Sequence, residues 1–298
     1  MTVTTQADAD EAPRFAGLQV LDRLAFASIY TARESGTGRG VVLKVLDEDA
    51  PPVAHEALER EAEYLALLGT HPHIVTLYQR TTLADGRPAL VLEACPGTAA
   101  DAARDQRLSV PLAVSLAIKV AGALETVHRA GLVHCAVRPQ SILLSEFDQP
   151  LLADFGATVA AGAQPFVSVD ETTAHTPPEL LLGEPPTPAI DVYGLSSALY
   201  ELITGRAAFR AYDRDSPAAV SLRILAGSVR PVLAPDVPLE LSDLILWGMH
   251  PEPSQRPPTP AWLGEELRRL EHQHGWPRTR MVTGEPRLPV ARKRRFFH

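Results

Sequence analysis

Residues 131–156, GLVHCAVRPQSILLSEFDQPLLADFG, constrain the fold of this chain more than any other stretch. Two short apolar runs, residues 141–144 and 150–153, flank an acidic turn at residues 146–148, a pattern that predicts a tight β-hairpin. One strand is entered from the polar string His134-Cys135-Ala136-Val137-Arg138-Pro139-Gln140-Ser141, and the other leaves into Asp154-Phe155-Gly156. The hairpin therefore holds a polar loop beside an acidic turn.

The rest of the chain is long and apolar enough to build a core around that hairpin. It has 298 residues, 45% of them hydrophobic, enough for one large or two medium domains. A formal net charge of -8 argues against nucleic acid as a partner of the body of the chain. Basic residues crowd only the end, at Arg278, Arg280, Arg287, Arg292, Lys293, Arg294 and Arg295. Two cysteines, Cys95 and Cys135, are too few for a disulfide framework or a thiolate metal site, and fit a reducing compartment. No apolar run is read as approaching the length of a membrane span, and the polar N-terminus has no signal-peptide core, so the expected location is cytoplasmic.

Periodicity then orders the chain. Residues 1–13 have the composition of a disordered tail. Strand-like runs follow at residues 18–24, 28–34 and 41–47, with a turn at residues 35–38. Residues 54–68 place Leu58, Ala62, Leu65 and Leu68 on one face of an amphipathic helix with acidic residues opposite. HPHIVTLY and PALVLEACPG read as two more strands. Beyond Gly97 the pattern turns helical, at residues 110–130, 191–205, 239–249 and 262–274. The 27 prolines are read as stiffening loops such as Pro177-Pro178, Pro185-Pro186, Pro257-Pro258 and Pro260. The expected fold is α+β in two lobes: a small antiparallel β lobe with one helix at residues 14–97, a larger, mainly helical lobe at 98–274, and a basic tail at 275–298.

These landmarks, in this order, resemble the eukaryotic-type serine/threonine protein kinases from about Leu18 to His272. Lys44, in VVLKVL, matches the lysine that grips the nucleotide phosphates, and Glu61 matches its helical partner. Asp154 matches the aspartate that holds Mg2+. Glu179 and Arg256 match a buried bridge, Asp191 an anchor beneath the catalytic loop, and Leu65, Leu77, Phe155 and His134 a stacked apolar column. With Val42, Leu92 and Leu143, the residues Lys44, Glu61 and Asp154 are thereby the implied cofactor-binding positions. The implied cofactors are ATP and Mg2+, the metal bound weakly.

The chemistry departs from the family where transfer would occur. Ala136 stands in place of the catalytic Asp, Ser141 in place of a metal-binding Asn, Arg138 in place of a phosphate-touching Lys, and Cys135 in place of an Arg. A missing base typically costs ~10²–10⁴ in rate. The glycine-rich loop is replaced by Leu24-Ala25-Phe26-Ala27-Ser28-Ile29-Tyr30, where side chains at Ala25 and Ala27 are expected to obstruct the phosphates. Val42 narrows the adenine slot and Leu92 matches the gatekeeper. Ser168, Thr172, Thr173 and Thr176 lie in the matching activation segment, but Cys135 cannot read a phosphate there. The free Cys135 thiol reads as a small buried filler.

The reading is a degenerate member, a pseudokinase acting as a regulatory or scaffolding module with weak or absent ATP binding, whose partners are proteins such as an active kinase or its substrates. The alternatives are an active but slow serine/threonine kinase, and transfer of another group from ATP. With Phe296 and Phe297 beside ARKRR, the tail suggests peripheral contact with anionic membrane, set against a plain solvated tail.

Overall fold

The computed structural model describes residues 14–163, 173–209, 215–227 and 229–285. The chain divides into two compact units, one of residues 1–62 and 76–94 and the other of residues 63–75 and 95–298.

The first unit is a five-stranded antiparallel sheet. Its strands are β1 (Phe15–Arg23), β2 (Ala27–Glu34), β3 (Gly40–Leu46), β4 (Leu77–Thr82) and β5 (Pro88–Glu93), in the order β1-β2-β3-β5-β4. Alternation along β3 decides its two faces. Val41, Leu43 and Val45 are buried on one side with Phe15, Ala32, Ala89 and Val91. Helix α1 (Pro52–Leu68) covers the other, where Leu58 and Ala62 pack with Ala27, Leu46 and Leu90. β1 is an edge strand, exposed along all but its first residue.

The second unit is mainly helical: α2 (Ala99–Ala102), α3 (Val110–Arg129), α4 (Pro178–Leu181), α5 (Pro188–Thr204), α6 (Pro217–Ala226), α7 (Leu239–Gly248) and α8 (Pro260–Gln273). Several of the prolines read as loop stiffeners instead open helices, Pro178 and Pro260 among them, because the first helical position needs no N–H and favours the fixed φ of proline. The predicted hairpin is present as β8 (Ile142–Leu144) and β9 (Pro150–Leu152), extended by β6 (Gly97–Thr98). A second small pair joins β7 (Leu132–Val133) to β10 (Val159–Ala160).

α3 corrects one sequence expectation. By length and composition it is apolar enough to cross a membrane, yet 72% of its most apolar window is buried within the protein. It is the core helix of this unit, packed against α5 and α8.

The run HPHIVTLY is not one strand. Residues 71–75 group with the helical unit because their backbone bonds there: Val75 N–H donates to Leu152 O at 3.0 Å, and Leu152 N–H to His73 O at 2.9 Å. β4 begins only at Leu77. The division between units therefore differs from a single cut at residue 97, since residues 63–75 are assigned with the helices.

Residues 275–285 are likewise no tail. Thr279 is buried, donating its N–H to Glu271 Oε2 at 2.8 Å with its hydroxyl 2.9 Å from Ser115 Oγ. Gly284 N–H reaches Thr126 Oγ1 at 2.8 Å, and Val282 O lies 2.8 Å from His71 Nε2. The segment lies so close to α3 that a β-carbon on Gly122 would meet Val282 O at 2.2 Å. Residues 1–13 and the basic run with Phe296 and Phe297 lie outside the described residues.

Overpacking of this kind costs typically ~1–3 kcal/mol. Gly122→Ala should lower stability by that amount in urea melts. Unchanged stability would mean that the last turns of chain do not contribute to the folded state.

Candidate functional site

The loop before β8 is built on one buried carboxylate. Asp191, on the first turn of α5 and 0% exposed, accepts the N–H of His134 at 2.8 Å through Oδ2 and that of Cys135 at 2.9 Å through Oδ1. His128 Nε2 lies 2.7 Å from Oδ2. Burial alone would raise the Asp191 pKa; the His128 hydrogen bond, the nearby His128 and His134, and the His134 N–H together hold it below the ordinary aspartate value. The two amide bonds are what keep Cys135 in the left-handed region at φ 66°, unusual for a residue with a β-carbon. Gly194, one turn on in α5, completes the fit: a β-carbon there would lie 2.9 Å from Val137 O.

His134 and Phe155 pack edge to face, 4.8 Å between ring centres, and both are buried. His134 Nε2 is 2.9 Å from Ala153 O, which ties the polar loop to the chain leaving β9. Two of the four residues matched to an apolar column thus touch directly within this unit. Leu65 is buried, and Leu77 packs in the sheet unit against the cluster around Leu90.

Asp154, also left-handed at φ 69°, is half-buried and faces Arg138, with Nη2 to Oδ2 at 3.3 Å. Ser141 is buried at 1% exposure; its hydroxyl donates to Arg138 O at 2.9 Å and accepts Arg138 N–H at 3.0 Å. Ala136 presents a methyl group, and its N–H is 3.3 Å from His134 Nδ1. Leu143, on β8, is half-buried. The helical unit therefore brings Ala136, Arg138, Ser141, Leu143 and Asp154 together around the hairpin.

For Mg2+, which demands near-octahedral hard oxygens at ~2.0–2.1 Å, the hard oxygens this arrangement offers are those of the Asp154 carboxylate. Ser141 has committed its hydroxyl to the loop backbone, and a guanidinium already stands at Oδ2 of Asp154. Among the described residues no group of three or more His, Cys, Asp or Glu side chains is placed to hold a metal.

The sheet unit carries the other half of the predicted set. Lys44 Nζ is 2.5 Å from Glu61 Oε2, with side-chain exposures of 12% and 3%. Glu61 thus lies on the buried face of α1, not opposite it with the other acids. Val42 sits directly across from Leu92 in the β3–β5 register, and Leu92 packs against the cluster under α1. The turn from β1 to β2 is tight, closed by Leu24 N–H to Ala27 O at 2.7 Å. Ala25 is exposed there, but Ala27 is a correction: it is buried in the core and obstructs nothing outside. The Ser28 hydroxyl, in the same turn, is spent on Asp47 Oδ1 at 3.0 Å.

Farther down the helical unit, Glu179 and Arg256 form a two-pronged buried pair at 2.5 and 2.8 Å, with Arg256 also donating to Ala189 O and His250 O. Of the four hydroxyls matched to the activation segment, Ser168 and Thr172 lie outside the described residues. Thr176 accepts the Thr173 N–H at 3.0 Å. His175 is buried between Ser197 Oγ at 2.8 Å and Glu201 Oε2 at 2.9 Å, anchoring the segment to α5. Neither this anchor nor the Arg138–Asp154 pair carries a local signature, since each joins residues 16 or more apart.

A protein-kinase domain model matches residues 19–266. This chain belongs to the protein kinase domain family. It is 34% identical over 265 residues to the serine/threonine-protein kinase PknK of Mycobacterium bovis, covering 88% of this chain and 24% of that protein. It is 30% identical over 259 residues to the serine/threonine-protein kinase PkaB of Streptomyces coelicolor, covering 82% of this chain and 60% of that one. A third relative, PknA of Mycobacterium tuberculosis, is 31% identical over 239 residues, 76% of this chain and 54% of its own. The chain thus spans a quarter of the first relative and little more than half of the others.

The buried anchors of this kinase domain set its acid sensitivity. Because the folded pKa of Asp191 is depressed, its contribution is complete above the unfolded aspartate value of ~3.9 and is lost as pH falls through the folded value. Below about pH 4, urea midpoints of the native protein should fall more steeply than those of Asp191→Asn, which starts lower and has no such group to titrate. Removing one side of the Glu179–Arg256 pair, in Arg256→Ala, should cost ~3–5 kcal/mol, the usual penalty for stranding a buried charge. Burial, and then the Asp191 charge, push the Cys135 thiol well above its ordinary pKa. Alkylation at pH 8 followed by mass spectrometry should therefore label Cys135 at least ~10-fold more slowly in native protein than in urea.

Proposed function

We propose that this kinase domain is a pseudokinase: a regulatory or scaffolding module that engages protein partners and does not transfer phosphate. The observation that carries the reading is a catalytic loop held in place by Asp191 while presenting only the Ala136 methyl where a proton acceptor would stand. General bases act within ~2.6–3.2 Å of the proton they take, and a methyl group offers no lone pair at all. The commitment of Ser141 to its own loop supports the same reading, because it removes a second oxygen from the site.

Lys44, aimed by Glu61, is the residue that would hold nucleotide phosphates, with Val42, Leu92 and Leu143 as the apolar positions implied for the base. ATP, if held, then acts as a conformational ligand. A second reading, a slow serine/threonine kinase, draws its support from the formed Lys44–Glu61 pair and the intact Glu179–Arg256 bridge. Contact of the basic C-terminal run with anionic lipid stands as a separate proposal.

Purified protein incubated with labelled ATP and Mg2+ or Mn2+ should put no more phosphate into itself or a generic acceptor than does a Lys44→Ala control. Robust labelling that disappears in Lys44→Ala would sink the pseudokinase reading and establish the slow kinase.

A further inference from the structure

We propose that Arg138 is the resident cation at Asp154, and that this site takes a nucleoside triphosphate as the free polyphosphate, without a divalent metal. The inference deepens the reading above, resting on it for the presence of a nucleotide site. It concerns how that site is charged.

Three observations point the same way. The Arg138 guanidinium lies 3.3 Å from Asp154 Oδ2, on the carboxylate that the family resemblance gives to a metal. A cation beside that oxygen repels a second, doubly charged one, so the arginine weakens metal binding there. The Ser141 hydroxyl, the next oxygen in the loop, donates to Arg138 O at 2.9 Å and is buried. The backbone of Arg138 is thereby clamped by the very residue that would otherwise offer a ligand.

The guanidinium also has donors to spare. Arginine carries five N–H donors in a planar fork that matches phosphate oxygens two at a time. Here Nη2 bonds to Asp154, and Nε is buried without a hydrogen-bond partner. A buried, unsatisfied donor is costly and calls for an acceptor. Phosphate oxygens are acceptors of the right charge and geometry, whereas a metal ion would add another cation.

The charge balance sets the expected strength. Arg138 and Asp154 sum to zero, so attraction for the polyphosphate at this pair comes from oriented donors and not from net charge. Binding should therefore be modest, and nearly the same whether the nucleotide arrives with or without Mg2+.

Calorimetric titration of ATP into the full chain, once in EDTA and once in Mg2+, tests this. The expected result is a Kd in EDTA within about twofold of that in Mg2+. In Arg138→Ala, affinity in EDTA should fall by a factor of about ten, and Mg2+ should recover it, because Asp154 is then free. Asp154→Asn keeps the fold checkable by a second route: it releases Arg138, and should bind ATP in EDTA at least as tightly as the native chain. A native Kd that weakens tenfold or more in EDTA overturns the proposal, and so does absence of ATP binding in EDTA. Neither outcome bears on phosphate transfer, so the pseudokinase reading stands or falls by the labelling experiment alone.

Discussion

The functional loop of this kinase domain depends on the single carboxylate of Asp191. An ionised group at zero exposure is tolerated only where hydrogen bonds replace water, and here two loop amides and one imidazole do so. The dependence runs both ways. The carboxylate needs those donors, and the amides of His134 and Cys135 need an acceptor strong enough to hold a left-handed cysteine in place. Everything downstream inherits that geometry: His134 against Phe155, Ala153 against His134, and the start of the hairpin that carries Asp154.

Around this anchor the buried pairs of the scaffold are in place. Glu179–Arg256, Lys44–Glu61 and His175 with Ser197 and Glu201 are all formed. At position 136 the side chain is a methyl, and the Ser141 hydroxyl is tied to the backbone of its own loop. Buried ion pairs do little for net stability but are expensive to break from one side. The segment at residues 275–285 adds to this economy, closing over α3 and α8 through Thr279, Val282 and Gly284.

Arg138 shows how one substitution changes the character of a site. A lysine ammonium is a compact, strongly hydrated point charge, whereas guanidinium is planar, weakly hydrated and able to engage two acceptors at once. Placed beside Asp154, it makes a neutral pair with that carboxylate.

Much of this was legible in the linear sequence. The strand and helix periods, the hairpin at residues 141–153 and the replacements at positions 135, 136, 138 and 141 are local patterns, and local patterns survive in one dimension. They carry the family likeness and the alanine at position 136. Other features were decided by tertiary structure, because they join residues far apart in sequence whose types are individually unremarkable. HPHIV left the sheet since the Val75 N–H and the His73 carbonyl both pair with Leu152; Ala27 turned inward since the β2 register put it under α1; residues 275–285 packed since Gly122 left room for a carbonyl. Arg138 is the sharpest case. Its identity was plain from the sequence, but whether its charge faces solvent, a phosphate or Asp154 depends on how the hairpin brings two ends of the chain to within 3.3 Å, and only the folded protein sets that distance.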